Sequence, residues 1–405
     1  MNTYRRLSLA SLALLLGACH GSEHGTPDAG HAPPSLDLAM TLPLFDMSYT
    51  PFDMTSFDIA KPATPDMTMD MTQPPAPRDV TFYVVADTHN DPAPEPQAFD
   101  ERATARTVNT VATNGQWPAT IGGTATGFVG GKIAAPFGVV FAGDLTGWGT
   151  APTEIPEFRH YYEQGNSSES INFPAYLGLG NHDIDTADRT DDVANAYRAT
   201  YWAWIDSRHS GPNAPVPAGN FDAASHAYSW DVGGVHFIQV HRFAGDDEYG
   251  LTSSLAFLNA DLASHAADGR PVFIFHHYGM DAFGTNGQWW TDDQRVAYRA
   301  ALSGYNIAGI FVGHTHFAEE MYVWQGIRVF QVNNAKAEIN TGNNDGNGSF
   351  AIVRITDTRL DVVTCRWLDD QGNYELIAPF YSSDAIPSPA LVGPGPKLKN
   401  FPVGD

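Results

Sequence analysis

Five short apolar runs in this chain each stop at a residue able to hold a metal ion or carry a proton. Val80 to Ala86 runs into Asp87-Thr88-His89, and Gly138 to Ala142 runs into Gly143-Asp144. Pro174 to Leu179 ends in Gly180-Asn181-His182-Asp183. Val272 to Phe275 ends in His276-His277, and Ile307 to Val312 in Gly313-His314-Thr315-His316. Apolar runs of this length, closed by Gly and polar residues, read as buried strands. Any one of these endings is weak, because Gly, Asn and Asp serve turns for reasons of turn chemistry alone. Five strand ends of one chemical character form a metal site spread along one edge of a sheet.

The chain has 405 residues, enough for a sizeable core, and 43% apolar with 12% aromatic content excludes wholesale disorder. Its formal charge of -24 leaves no basic patch to displace counterions, so no nucleic-acid surface is expected. Attraction of a polyanionic substrate then has to come from bound cations rather than from Lys and Arg.

At the amino terminus, Arg5-Arg6 precedes the short apolar stretch Leu7 to Leu16, which reads as an export signal too short to span a bilayer as a permanent helix. Leu16-Gly17-Ala18-Cys19 resembles the lipobox of bacterial lipoproteins, which implies acylation at Cys19 after removal of residues 1–18. The expectation is an exported bacterial lipoprotein held to a membrane by that lipid, at the outer membrane, in the periplasm or at the cell surface. Residues 19–78 are rich in Pro, Asp and Met, carry an imperfect Phe-Asp-Met repeat and show no sustained period, so a disordered tether is expected there. Cys365 is the only other cysteine, which argues against an intrachain disulfide. It alternates with Val363 and Trp367 and reads as buried filler.

A folded domain is expected over 79–386, with an extended Pro/Gly-dense tail over 387–405. Helical periodicity marks 97–113, 190–204, 251–267 and 292–303, while the Gly-rich segment 121–131 reads as a loop. Residues 227–240 read as a strand pair turning at Gly233-Gly234, and strands are expected at 321–332, 350–355, 360–367 and 374–377. Helices alternating with strands, then strands alone, suggest a two-sheet core with helices outside.

The ordered set Asp-x-His, Gly-Asp, Gly-Asn-His-Asp, His and Gly-His-x-His resembles the calcineurin-like metallophosphoesterase superfamily, and the likeness extends over about residues 80–380. It implies an α/β fold, a four-layer α/β/β/α sandwich of two mixed sheets, with two metal ions where strand ends converge. Carried over residue by residue, Asp87, His89 and His316 would hold one metal. Asn181, His314 and one histidine of the 276–277 pair would hold the other, and Asp144 would bridge them. Imidazoles suit Mn, Fe or Zn, and oxygen donors keep the site hard enough for phosphate. Within the pair, His277-Tyr278-Gly279 fits the superfamily pattern, and strand alternation lets only one ring face the metals, so His277 is favoured.

His182 matches the catalytic histidine of the superfamily, as proton donor to the leaving oxygen. The implied reaction is in-line attack of a metal-bridging hydroxide on a phosphate mono- or diester, the substrate being a small-molecule or lipid phosphoester. The alternative is a non-catalytic member that uses the same fold as a binding scaffold. No arginine follows Gly143-Asp144 as in the protein Ser/Thr phosphatases of the superfamily, and Gly147 stands where purple acid phosphatases have a tyrosine. Trp148, Tyr278, Trp289, Trp290 and Phe317 lie in or near the motif loops and could wall a pocket. His160, His209, His226, His236, His241 and His265 lack motif context and are expected to be structural.

Overall fold

The computed structural model describes residues 77–91, 98–185, 192–280, 289–316, 320–337 and 346–383. The export signal, Cys19, the tether up to residue 76, Phe317 and the tail from 387 lie outside the described residues. Among those described, no helix is long and apolar enough to cross a membrane.

The chain opens with β1 (Asp79–Val85), whose residues after the first are all buried, as expected for a strand covered on both faces. Helix α1 (Ala98–Asn114) follows. Next come four two-residue strands, β2 (Gln116–Trp117), β3 (Thr120–Ile121), β4 (Thr124–Ala125) and β5 (Gly131–Lys132). They pair as β2 with β5 and β3 with β4, so the segment expected as a loop is a pair of small ribbons. Strand β6 (Val139–Phe141), α2 (Ala151–Tyr162), β7 (Ala175–Tyr176), α3 (Asn181–Ile184) and α4 (Asp192–His209) complete the first half. The sequence pattern does not announce α2, because it carries proline near its start and again at Pro156.

The second half begins with β8 (Asn220–Phe221), β9 (Tyr228–Val232) and β10 (Val235–Gln239). Gly233 and Gly234 join β9 to β10 with φ of 55° and 76°, the left-handed pair that a two-residue hairpin requires. Then come α5 (Leu255–His265), β11 (Val272–Phe275), α6 (Asp292–Ala301) and β12 (Ile307–Val312). A capping box between Thr291 and Gln294 starts α6. The single β run expected over 321–332 is a hairpin, β13 (Glu320–Trp324) with β14 (Ile327–Gln331). Strands β15 (Ser349–Thr356), β16 (Leu360–Trp367) and β17 (Tyr374–Ser383) close the described chain.

Two mixed sheets result, with orders β17-β16-β15-β1-β6-β7 and β13-β14-β12-β11-β10-β9-β8. Between them lies a core of Val80, Phe82, Val84, Phe237, Phe273, Phe275, Phe311 and Phe330, with Phe82 edge-on to Phe237 at 5.2 Å. Burial of each such ring stabilises by roughly 1.5–3 kcal/mol, which fixes one sheet against the other. A second core joins the first sheet to α1, α2 and α4, and a third joins the other sheet to α5 and α6. The layers therefore run α/β/β/α.

Strands β1, β6 and β7 are mutually parallel, as are β10, β11, β12 and β14. Parallel neighbours end on the same side, so the polar residues that follow β1, β6, β7, β11 and β12 meet at one edge of the double sheet.

Candidate metal centre

Asp87 and His89 leave β1, Asp144 leaves β6, and Asn181 opens α3 after β7. His277 leaves β11, and His314 and His316 leave β12. Asp87, His89, Asp144, His314 and His316 have φ between 44° and 79°. Left-handed backbone at a non-glycine costs about 1 kcal/mol or more, and such strain collects where side chains must be aimed rather than merely packed. Two neighbouring glycines permit the crowding. A Cβ on Gly143, itself at φ 93°, would stand 2.4 Å from His277 Nδ1, and one on Gly180 would stand 2.2 Å from Asp144 Oδ1.

These side chains form two groups whose candidate ligand atoms lie within 4.8 Å of one another: Asp87, His89, Asp144 and His316, and Asp144, His277 and His314. Asp144 is common to both. Its Oδ1 accepts the backbone N–H of His182 at 2.8 Å, while Oδ2 is buried and without a hydrogen bond. His277 Nε2 lies 3.0 Å from that Oδ2 and 3.0 Å from Asn181 Oδ1. His277 Nδ1 donates to the Ala142 carbonyl at 2.9 Å, so its Nε2 is the atom left to face the two oxygens. His89 Nε2 and His316 Nε2 approach to 2.9 Å, and His316 Nε2 lies 3.2 Å from Asp87 Oδ1.

Electrostatics sharpen this picture. Burial keeps the His89 and His314 rings neutral, His314 being pushed down to about 3 with help from His277. Burial also opposes charge on Asp144, but His277 and His89 outweigh it and hold the carboxyl well below the usual range. His277 is affected in the mirror sense: burial opposes its charge, and Asp144 overcomes it and raises the ring's affinity for a proton. Neutral His89 and His314 beside an ionised Asp144 are the protonation states a metal requires, and His277 would release its proton when a cation takes its place. Where lone pairs converge at 3 Å, a proton or a cation must stand between them. The donor set thus fits two cations sharing Asp144.

His276 turns away. It is fully buried, packs edge-on to Trp290 at 5.4 Å and Tyr298 at 5.5 Å, and burial pushes its ring down to about 3. His182 is half-buried and stays out of both ligand groups. Its ring lies edge-on to His89 at 4.4 Å, and Nδ1 donates to the Gly147 carbonyl at 2.7 Å. Because a carbonyl can only accept, Nδ1 keeps its proton and Nε2 is the exchangeable site.

Several positioning residues have no signal in the sequence. Asp183 does not orient the His182 ring. Its carboxylate accepts from the backbone N–H groups of Gly180, Leu145 and Thr146, clamping the loop after β7 to the loop after β6. Burial, reinforced by Asp144, pushes Asp183 up to about 7. Glu154 of α2 accepts the N–H groups of Trp148 and Thr150 and so holds the loop that carries the Gly147 carbonyl. His241 receives the Leu179 N–H on Nδ1 and donates Nε2–H to the His226 carbonyl, while Gln239 reaches across to the Phe141 carbonyl. Of the aromatic residues named from sequence, Tyr278 and Trp289 pack beside His314, Trp290 is buried, and Trp148 is exposed.

The family model for calcineurin-like phosphoesterases matches residues 80–318, which span all of these side chains. The chain belongs to that family. Solved structures similar to this calcineurin-like phosphoesterase include a dimetal phosphatase from Danio rerio, at 11% identity over 74% of this chain and 98% of that one, with a TM-score of 0.43. PhoD matches at 11% identity over 74% and 72%, with a TM-score of 0.40. A 5'-nucleotidase from Candida albicans matches at 13% over 68% and 47%, with a TM-score of 0.37. Among curated proteins, none matches the chain.

Proposed function

We propose that this calcineurin-like phosphoesterase is a binuclear metal-dependent hydrolase of phosphate mono- or diesters. The carrying observation is Asp144, with one oxygen held by the His182 backbone and the other buried, unbonded, between two groups of imidazoles. In this reading Asp87, His89 and His316 would hold one cation, Asn181, His277 and His314 the other, and Asp144 would be shared by both. Manganese, iron or zinc bound there would supply Lewis acidity toward the phosphoryl oxygens and would lower the pKa of a nearby water, the chemistry that in-line hydrolysis needs.

The chain's own residues set the geometry. The Ala142 carbonyl fixes the His277 tautomer, and Asp183 and Glu154 lock the loops that carry Asp144, Asn181 and the Gly147 carbonyl. His182 gives its Nε2 proton to the leaving oxygen, with Nδ1–H retained by Gly147. The test is metal analysis of the purified protein together with hydrolysis of an aryl monoester and an aryl diester. Two equivalents of metal and turnover of at least one ester are expected; full metal content with neither ester hydrolysed would favour the binding-scaffold alternative. In the same assay His182→Ala is expected to keep both metals and lose about 10²–10⁴-fold in turnover, less for leaving groups that need no proton. Equal losses on nitrophenolate and alkyl leaving groups would remove the general-acid role.

The same proposal places the enzyme outside the cytoplasm, anchored through acylated Cys19 and spaced from the membrane by residues 20–78, facing a small-molecule or lipid phosphoester. Its support is the signal-like amino terminus and the lipobox-like Leu16-Gly17-Ala18-Cys19. Cys19→Ser is expected to leave the membrane fraction after a salt wash, and its retention there would sink the anchor.

A further inference from the structure

Only two aromatic side chains among the described residues stand well out to solvent, Trp148 at 63% and Tyr249 at 40% exposure. Exposure of a single apolar ring is ordinary and means nothing alone. What sets these two apart is how they are held. The Trp148 N–H donates to Glu154 Oε1 at 2.8 Å, and its indole N–H donates to Asp91 Oδ2 at 2.9 Å. The indole is therefore fixed in position although its faces remain in water. Gly147, the residue before it, gives His182 the carbonyl that orients its ring, and Asp91 lies two residues beyond His89.

Tyr249 is tied to the short helix α3 that carries His182. Its hydroxyl donates to Asp185, the residue that caps α3 just beyond His182, and its ring lies under the Arg198 guanidinium at 4.4 Å. The proton donor thus sits on a short helix whose C-cap fastens one exposed ring, Tyr249, while its own side chain bonds the residue before the other, Trp148. Tyr278 and Trp289 differ in kind, since they pack against His314 and wall the opposite ligand group.

We infer that Trp148 is a platform for the leaving group, and that the substrates are phosphoesters whose leaving group presents a flat aromatic or heteroaromatic ring. This rests on the phosphoesterase reading above. A ring stacked on the indole is held beside His182, which has to reach the oxygen joining that group to phosphorus. An indole that is already immobilised loses little freedom when a ring settles on it, so the stacking gain shows in binding. Aromatic stacking of this kind corresponds to a preference of about tenfold over a saturated ring of similar size.

Calorimetry on manganese-loaded protein with benzylphosphonate and cyclohexylmethylphosphonate separates the flat ring from its saturated counterpart without any need for turnover. The wild type is expected to bind the benzyl compound about tenfold more tightly. Trp148→Ala removes that preference and Trp148→Phe keeps most of it, both with wild-type metal content, since the side chain is outside the core. Rates on benzyl phosphate and cyclohexylmethyl phosphate should follow the same order, and both leave as primary alkoxides that draw equally on His182. Equal wild-type affinities, binding of neither phosphonate, or a preference that survives in Trp148→Ala would overturn the platform. Selective binding with neither ester hydrolysed would instead uphold the platform and overturn the hydrolase.

Discussion

Two buried clusters of histidine and aspartate occupy opposite edges of the second sheet, and they differ in how their hydrogen bonds add up. At the strand starts, His236 pairs in register with Val272, the first residue of β11. Its Nδ1 donates to Asp231 at 2.7 Å and its Nε2 to Asp261 at 2.7 Å. Asp261 also accepts from Asn220 and Ser229, and Arg270 reaches Asp231. Each ring donor there meets an acceptor, and an imidazolium balances the carboxylates. At the strand ends, His277 Nε2 faces an amide oxygen and a carboxylate oxygen, two imidazole nitrogens stand 2.9 Å apart, and five residues adopt left-handed backbone. Both places are rich in His and Asp and bury a histidine against an aspartate, with Asp231 of the first reaching solvent. Only the second is short of positive charge, and that shortage separates a cation site from a structural ion pair.

The strongest way to break this comparison is to remove one carboxylate charge from each cluster. Asp144→Asn is expected to lose at least one metal equivalent and about 100-fold or more in turnover, since losing even an outer support of a metal ligand costs about 10–100-fold. Asp261→Asn is expected to keep both metals while losing about 1–3 kcal/mol of folding stability, because the His236 ring is left with a weaker acceptor. Metal-to-protein ratios and urea midpoints on both variants decide the matter. Two retained metals with near-normal turnover in Asp144→Asn would erase the distinction.

A finer version compares adjacent rings. His277→Ala should release the cation that relies on Asn181 and His314 and spare the one on Asp87, His89 and His316. His276→Ala should keep both and lose only packing against Trp290 and Tyr298, about 1–3 kcal/mol. Metal content after identical dialysis checks this, and the reverse pattern would exchange the two assignments.

The smallest effect is one of pH, read as the difference between wild type and His236→Gln on metal-free protein, so that titration of the ligand residues, common to both, cancels. Burial opposes charge on His236, but Asp261 and Asp231 outweigh it and raise the ring's proton affinity above the usual histidine range, with His265 stacked beside it. Its stabilisation is therefore complete below the unfolded value of about 6.5 and is lost as pH rises through the raised folded value. Asp261 acts in the opposite sense. Burial works against its ionisation, but His236, Ser229 and Asn220 hold it below the usual range, so its contribution is lost only as pH falls through that lowered value. The urea midpoint should fall as pH rises from about 6 to 9, and His236→Gln should flatten that slope. An unchanged slope in the variant would show that His236 is not held charged.

Much of the candidate site was legible before the fold was known, for a local reason. A buried strand needs an apolar run, and the residue after that run is free to be polar, so the five endings marked both the strands and their chemistry. Alternation along a strand let only one of His276 and His277 face the metals, and the likeness of His277-Tyr278-Gly279 to the superfamily pattern favoured His277. Helix α2 escaped the same reading because its prolines look like a stop, yet its Glu154 secures the loop beside His182. The sequence raised Asp183 as the neighbour of His182, but an aspartate that binds backbone N–H groups carries no mark distinguishing it from one that binds a ring.

The sequence by itself determined the donor types, their order and their placement at strand ends, since hydrophobic periodicity and turn chemistry act over a few residues. Which donors share one cation is a matter of distance between segments far apart in the chain. His89 meets His316 across 227 residues, and His277 meets Asn181 across 96. Those approaches depend on the phenylalanine core that sets one sheet over the other and on glycines that leave room for the crowding. Only the tertiary structure, through that packing, made Asp144 the residue common to both groups.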